Sequence, residues 1–385
     1  MRPSQRASTF TESVIREMTR VARAHGAINL AQGFPDFAMP EPMKEAACAA
    51  IRGDINQYAI TWGSPVLRLA IAEKYRRMYE MEVDPEREVT VTCGGTEAMA
   101  AAFLALIDPG DEVIIPEPFY ENYGPDGILA GARPVFVPLD PPSWTLNPER
   151  LRKAFTPRTR AFVLNSPHNP TGRVFTRDEI SLIASLCIEH DVMVLTDDPY
   201  EYITYAGKHH PIATWPGMRE RTVTISSLSK TFSCTGWRLG YAIAPPATTD
   251  AIRKVHDFLT VGAPAPLQAA AAVGYAFDAE YFNHLARDYR LRRDLISQSL
   301  SAAGFKFTVP EGAYYILADF SELSDMGDVD FATWLTREGG VATVPGSSFY
   351  HDRPNASRYI RFAFCKKRET LEAAAERLAN LRALV

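Results

Sequence analysis

Lys230 lies in the string SSLSKTFSCTGWR, residues 226–238, between two short apolar runs, TVTIS and LGYAIA. The runs read as buried strands and the polar string as the irregular turn that joins them. A lysine hemmed in by apolar strands loses hydration, and desolvation favours its neutral, nucleophilic form. Ser227 and Ser229 flank it, and Arg238 follows. Hydroxyls and a guanidinium beside a nucleophilic amine suit a ligand that carries both a phosphate and an aldehyde. Pyridoxal 5'-phosphate (PLP) is such a ligand, held as a Schiff base on lysine. The SxxK spacing alone is common in surface loops and also opens the motif of serine acylases. No SDN or KTG element follows in a matching context.

Other residues with chemical potential sit where strands are expected to end. CGGTEA follows VTVT, and its paired glycines let backbone approach an anion at the start of a helix; Gly95 and Thr96 are the candidates. GxGxxG is absent there, so the turn carries no dinucleotide fingerprint. FYENY follows EVIIPEP, and Tyr120 offers a ring face for stacking on a planar cofactor. PHNPTG follows RAFVLNS; Asn169 can donate to a phenolate oxygen, whereas His168 in this turn reads as incidental. TDDPYEY follows VMVL. Asp197 at that strand end can keep a pyridine nitrogen protonated, with Asp198 behind it or at the surface, and Tyr200 brings a phenol to the same ring. A metal is the rival for the Asp pair, but no partner His or carboxylate spacing supports it. Arg361, inside the apolar strand RYIRFAF, needs a carboxylate or phosphate partner; Arg358 at the strand start reads as solvated.

The elements that must position these residues alternate between strand and helix. TESVIREMTRVARAH, residues 11–25, has the apolar spacing of a helix face and ends at Gly26. Helices are expected over 41–53 and from Ser64 on, then strand–helix units up to the lysine stretch. Thr176 and Glu179 form a capping-box pair. Beyond Lys230, residues 247–261 and 265–303 read as helical. The tail offers the strands GFKFTVP, YYILADF, VATVPG and YIRFAF and a last helix from Glu369. The alternation implies an α/β fold with a mostly parallel sheet covered on both faces, and in such sheets ligands collect beyond the carboxyl ends of the strands.

In order along the chain, INLAQGFPDF, QY, GGTEA, EPFY, NSPHNPTG, DDPYEY, SLSKTFSCTGWRLG and YIRF resemble the motifs of class I and II aminotransferases, the fold-type I PLP enzymes. The resemblance covers residues 28–366 and lies nearest the branch of kynurenine, methionine, aromatic and bacterial aspartate aminotransferases. It implies a large PLP-binding domain, residues 41–285, built on a mostly parallel seven-stranded sheet. It also implies a smaller α+β domain, 286–385, and an N-terminal arm, 1–40, packing with the small domain. Lys230 would hold PLP and shuttle the substrate proton, and Asp197 would pair with the ring nitrogen. Asn169 and Tyr200 would bind the ring oxygen, and Tyr120 would stack on the ring. Gly95, Thr96, Ser227 and Arg238 would hold the phosphate. Arg361, with Asn169 and Gly33, would bind the substrate α-carboxylate. Tyr58 would reach the phosphate of a neighbouring subunit's cofactor, which makes the active unit a homodimer.

The resemblance implies transamination between an L-amino acid and a 2-oxo acid. The same scaffold serves PLP-dependent lyases and carbon–carbon bond-forming enzymes, which motifs separate poorly. Dicarboxylate-specific members often carry a lysine after the paired glycines. Here Thr96 and Glu97 stand there, and an inward-pointing Glu97 would repel a side-chain carboxylate. Val14 and Ile15 replace the aromatic residue that kynurenine-type enzymes often have in the first helix. The expected donor is a neutral, aromatic or sulfur-containing amino acid.

Composition narrows the partners. The chain has 385 residues, 46% of them hydrophobic and 23% charged, with a net charge of −5 and a pI of about 6.0. No basic surplus points to nucleic acid or an anionic membrane. A PLP-binding regulator would need a DNA-binding module, for which the first 30 residues are too short. Five dispersed cysteines without CxxC spacing, and no signal-peptide pattern, imply the cytoplasm.

Overall fold

The computed structural model describes residues 4, 6–10, 12–351 and 357–381. Eight strands form the main sheet. In spatial order they are Val89–Thr92, Gly240–Ile243, Thr222–Ser227, Met193–Asp197, Thr159–Asn165, Glu112–Glu117, Arg133–Asp140 and Thr145–Leu146. The five central and right-hand strands from Thr222–Ser227 to Arg133–Asp140 run parallel. Gly240–Ile243 runs antiparallel to both its neighbours. The eighth strand, the two-residue Thr145–Leu146, folds back antiparallel on Arg133–Asp140. The expected sheet had seven strands; this short hairpin supplies the extra one.

Helices cover the sheet. Ser64 caps the Pro65–Tyr79 helix by accepting from Leu67 N–H, and Thr176 and Glu179 make a complete capping box on Arg177–Glu189. The first helix, Val14–Ala24, ends at Gly26 with φ of 59°, a left-handed turn that glycine adopts without strain. The long helical stretch after residue 265 is two helices, Ala265–Tyr275 and Ala279–Ala303, because Asp278 accepts from Tyr281 N–H and starts a new one.

A small antiparallel sheet orders Tyr315–Asp319, Tyr359–Ala363 and Val344–Pro345, while Ile28–Asn29 pairs in parallel with Val341–Ala342. The expected strand GFKFTVP is reduced to a single bridge, Lys306 to Asp319. Pro310 at its end packs instead against Gly172. The first helix, through Met18 and Ala22, shares one hydrophobic core with the small sheet and the final helix Arg368–Ala379. Among the described residues no helix is long and apolar enough to cross a membrane.

Candidate active site

Parallel strands put their carboxyl ends on one edge, and that edge carries the candidate residues. The register is tight there. Asn165 lies opposite Asp197, Asp197 opposite Ile225, and Gly240 opposite both Ser227 and Thr92. A Cβ at Gly240 would stand 2.3 Å from Gly95 N, so only glycine lets the two turns meet.

Lys230 sits on the one-turn helix Leu228–Thr231 that follows the Thr222–Ser227 strand, with Ser227 capping that turn. Its Nζ donates to Gly33 O at 3.3 Å and stands 5.9 Å from the Tyr314 ring centre. Burial, with Arg238 and Arg361 adding to it, lowers its pKa to about 8 against the opposing pull of Cys365 and Asp197. Lys74 is buried more deeply, yet it ion-pairs with Glu201 and bonds Tyr241 away from this edge. Burial alone therefore does not separate the two lysines; the missing carboxylate partner does.

Asp197 ends its strand and accepts from Tyr123 Oη at 2.7 Å. Burial raises its carboxyl to about 6, while the Tyr123 bond and Lys230 pull the other way. Tyr120 meets Tyr123 edge-on, with centres 5.8 Å apart. Tyr200 and Tyr315 share a hydroxyl contact of 3.0 Å. Asn169 is fixed twice: its N–H donates to Asn165 Oδ1, and its own Oδ1 accepts from Arg361 Nη1 at 2.8 Å. That orientation leaves the Asn169 NH2 as the end able to donate elsewhere.

Arg361 is fully buried in the middle of its strand, flanked by Tyr315 and Phe349 at 4.3 and 4.7 Å from its guanidinium carbon. Its Nη2 donates to Ala31 O, and its Nε has no partner among the described residues. At the opposite end, Gly94 takes φ of 85° and the Gly95–Leu106 helix begins with no side-chain cap. Its first N–H groups are therefore open to an anion. A Cβ on Gly94 would lie 2.5 Å from Arg238 Nη2, so the glycine admits the guanidinium. Gly33, Gly95, Thr96, Tyr120, Asn169, Asp197 and the rest of the set through Arg361 line one cavity of about 420 Å³. Tyr58 is the exception: it lies outside that cavity, 87% exposed.

A family model described as aminotransferase class I and II matches residues 25–378. The chain belongs to the class I and II aminotransferases. This aminotransferase is 40% identical to a probable N-succinyldiaminopimelate aminotransferase of Mycobacterium tuberculosis, over 98% of each chain. It is 38% identical to rat kynurenine–oxoglutarate transaminase 3, over 97% of this chain and 89% of that one. The Escherichia coli methionine aminotransferase is 37% identical over 98% of each chain. Among solved structures, the M. tuberculosis enzyme superposes with a TM-score of 0.96, covering 99% of this chain and 100% of that one at 40% identity. A Thermus thermophilus aspartate aminotransferase with maleate does so at 0.91, with 36% identity and the same coverage.

One expectation about this aminotransferase is corrected by its geometry. Glu97 does not point into the cavity. It accepts from Cys93 N–H and Thr260 Oγ1 and meets His256 Nδ1 at 2.7 Å, turned toward the Pro246–Thr260 helix. Glu97 therefore cannot repel a substrate carboxylate. Besides Asp197 and Asp126, the acid that lines the cavity is Glu121, on the side of the first helix, where it accepts from Ser13 Oγ. His168 bonds Thr171 and, with its pKa pushed down to about 3 chiefly by burial, lies off the cavity. Asp198 is buried, bonded to Thr196. Arg358 donates to loop carbonyls at Ser321 and Ser324.

Sequence reading missed Tyr123, Tyr315, Glu121 and Asp126. Tyr123 and Asp126 had a signal: they follow Tyr120 at spacings of three, so a helix start there brings all of them to one side. Tyr315 had none, since it reaches the site from the small sheet.

Proposed function

We propose that this aminotransferase uses Lys230 to hold PLP and moves an amino group between a neutral, aromatic or sulfur-containing L-amino acid and a 2-oxo acid. The observation that carries the reading is the meeting of a half-buried lysine that has no carboxylate partner with Asp197 and Arg361 in one cavity. The family uses PLP, and the residues present fit it. The unpartnered Arg361 Nε and the uncapped Gly95–Leu106 helix offer separate places for a carboxylate and a phosphate.

When bound, PLP supplies an aldehyde and an electron-withdrawing ring. Gly95, Thr96, Ser227 and Arg238 would hold its phosphate, Asp197 its ring nitrogen, Asn169 and Tyr200 its ring oxygen, and Tyr120 its face. Arg361, with Asn169 and the Gly33 backbone, fixes the substrate α-carboxylate, so that the Cα–H faces the lysine side. Lys230 Nζ, neutral above about pH 8, would take the Cα proton as general base and, as general acid, deliver it to the carbon of the cofactor's aldehyde group. Ile15 and Phe34 add apolar surface to the cavity. Glu121 takes over the repulsion of side-chain carboxylates first ascribed to Glu97.

The assembly we infer is a homodimer, with the domain boundary inside the helix Ala279–Ala303. Tyr58, Ile60, Val66 and Leu69 are exposed beside Phe258, which is 91% exposed, and Leu259. His256 Nε2 meets Thr61 O, which brings the two segments together, and exposed apolar side chains on both are what an interface would cover. Tyr58 among them would reach the partner's phosphate site.

The purified protein given PLP should show a visible absorption band that changes on addition of single amino acids, with keto acid and no free ammonia released. Lys230→Ala should lose the catalytic cycle. Normal turnover by that variant, or ammonia as product, would overturn the reading.

A further inference from the structure

Asp126 lies one turn after Tyr123 on the helix Tyr123–Ala130 and lines the same cavity. It is 6% exposed, and its Oδ2 is buried with no hydrogen-bond partner among the described residues. The packed helix Gly95–Leu106 brings Met99 and Phe103 toward this side, and its one acid, Glu97, faces His256. The adjoining strand Arg133–Asp140 brings Pro134 against Gly127, while Arg133 acts on Glu112. The charged group that does act on Asp126 is Asp197, and Tyr123 on its own helix donates to Asp197 rather than to it. A buried carboxyl oxygen without a partner, acted on by a second carboxylate, is costly as an anion and calls for an explanation such as a bound ligand or a catalytic role.

We propose that Asp126 is a second acid of the ring-nitrogen subsite, protonated in the apoprotein and made to release that proton to solvent when a cationic ring nitrogen binds at Asp197. The step forms no covalent bond: the Asp126 O–H gives its proton to water, and the positive nitrogen then faces two carboxylates. Burial and Asp197 together raise the Asp126 carboxyl to about 7, which places the switch near neutrality. The inference rests on the reading that PLP sits with its nitrogen on Asp197.

The test is the dissociation constant of PLP for the apoprotein between pH 5.5 and 8.5, in wild type and in Asp126→Asn. Below about pH 7 the wild-type affinity should fall by up to about tenfold per pH unit more steeply than that of the variant, the slope of one extra proton released. Equal slopes would overturn the proposal while leaving PLP binding intact. No PLP binding by either protein would overturn the functional reading itself. A second measurement needs no cofactor. An acid whose native pKa is raised holds its proton longer when folded, so its stabilising effect is complete below about pH 4 and is lost as pH rises through about 7. Apo Asp126→Asn, and Asp126→Leu if the first fails to fold, should therefore lose less stability than wild type over that window. Parallel stability curves would count against the proposal.

Discussion

Arg361 Nη1 donates to Asn169 Oδ1 across 2.8 Å, joining the small antiparallel sheet to the turn beyond the Thr159–Asn165 strand. The bond sets two things at once. It turns the Asn169 amide so that its NH2 stays available, and it holds the guanidinium with Nε unpaired.

Arg361→Lys should therefore do more harm than a conserved charge suggests. A lysine ammonium cannot hold Asn169, Ala31 and a carboxylate in one plane. Truncating a partner of a buried charge pair costs about 2–5 kcal/mol, so kcat/KM should fall by roughly 30-fold or more. PLP affinity, measured by equilibrium dialysis, should fall far less, by only what the loss of the Arg361–Asn169 bond costs the Asn169 amide. A loss confined to PLP binding would mean that Arg361 does not hold the substrate.

Tyr123→Phe should move the acid limb of PLP binding. The Tyr123 hydroxyl bond lowers the Asp197 carboxyl, which burial has raised to about 6. Without that bond the carboxyl rises further, and ionised Asp197 is reached only at higher pH. A hydrogen bond to a charged group contributes about 1.5–3 kcal/mol, which corresponds to a displacement of roughly one pH unit or more. A pH titration of PLP affinity checks the direction; an unchanged or downward-shifted limb contradicts the role given to Tyr123.

Much of this was legible in the chain because parallel strands impose it. Each residue following a strand end, Gly95, Asn169, Asp197 and Lys230, meets the others on one edge once the strands align, so local punctuation was enough. Glu97 shows where local reading stops. The turn was read correctly, but one helical residue faces inward and the next faces away, and His256, distant in sequence, decides what that second face meets. Tyr315 and Glu121 were unreadable for a related reason: each depends on how the arm and the small sheet dock on the large one. The two-residue eighth strand fell below any periodic signal.

Glu121→Gln should widen the donor range toward dicarboxylates. Burial raises the Glu121 carboxyl, while the Ser13 bond, Arg361 and Arg16 favour its charged form. Like charges brought together in a site cost several kcal/mol, so neutralising Glu121 should improve kcat/KM for aspartate or glutamate about tenfold or more relative to methionine. The ratio of the two rate constants is the readout. An unchanged ratio would show that Glu121 does not meet the substrate side chain.

Lys74→Met should destabilise the fold more than any loss of surface charge would. Lys74 Nζ is paired with Glu201 and bonded to Tyr241 Oη at 2.7 Å, while Glu201 also accepts from Ser226 Oγ and Tyr79 Oη. Removing the cation leaves Glu201 buried and uncompensated, a loss of about 3–5 kcal/mol for such pairs. Replacing both, as Lys74→Met with Glu201→Gln, removes the stranded charge and should recover a large part of it. Denaturant midpoints of the two variants decide the matter. The network ties the Pro65–Tyr79 helix to the loop that follows Asp197 and holds Tyr200, so PLP affinity should weaken in the single variant and recover in the double one. If the double variant is as unstable as the single, the cost lies in lost packing of the lysine stem, not in the charge.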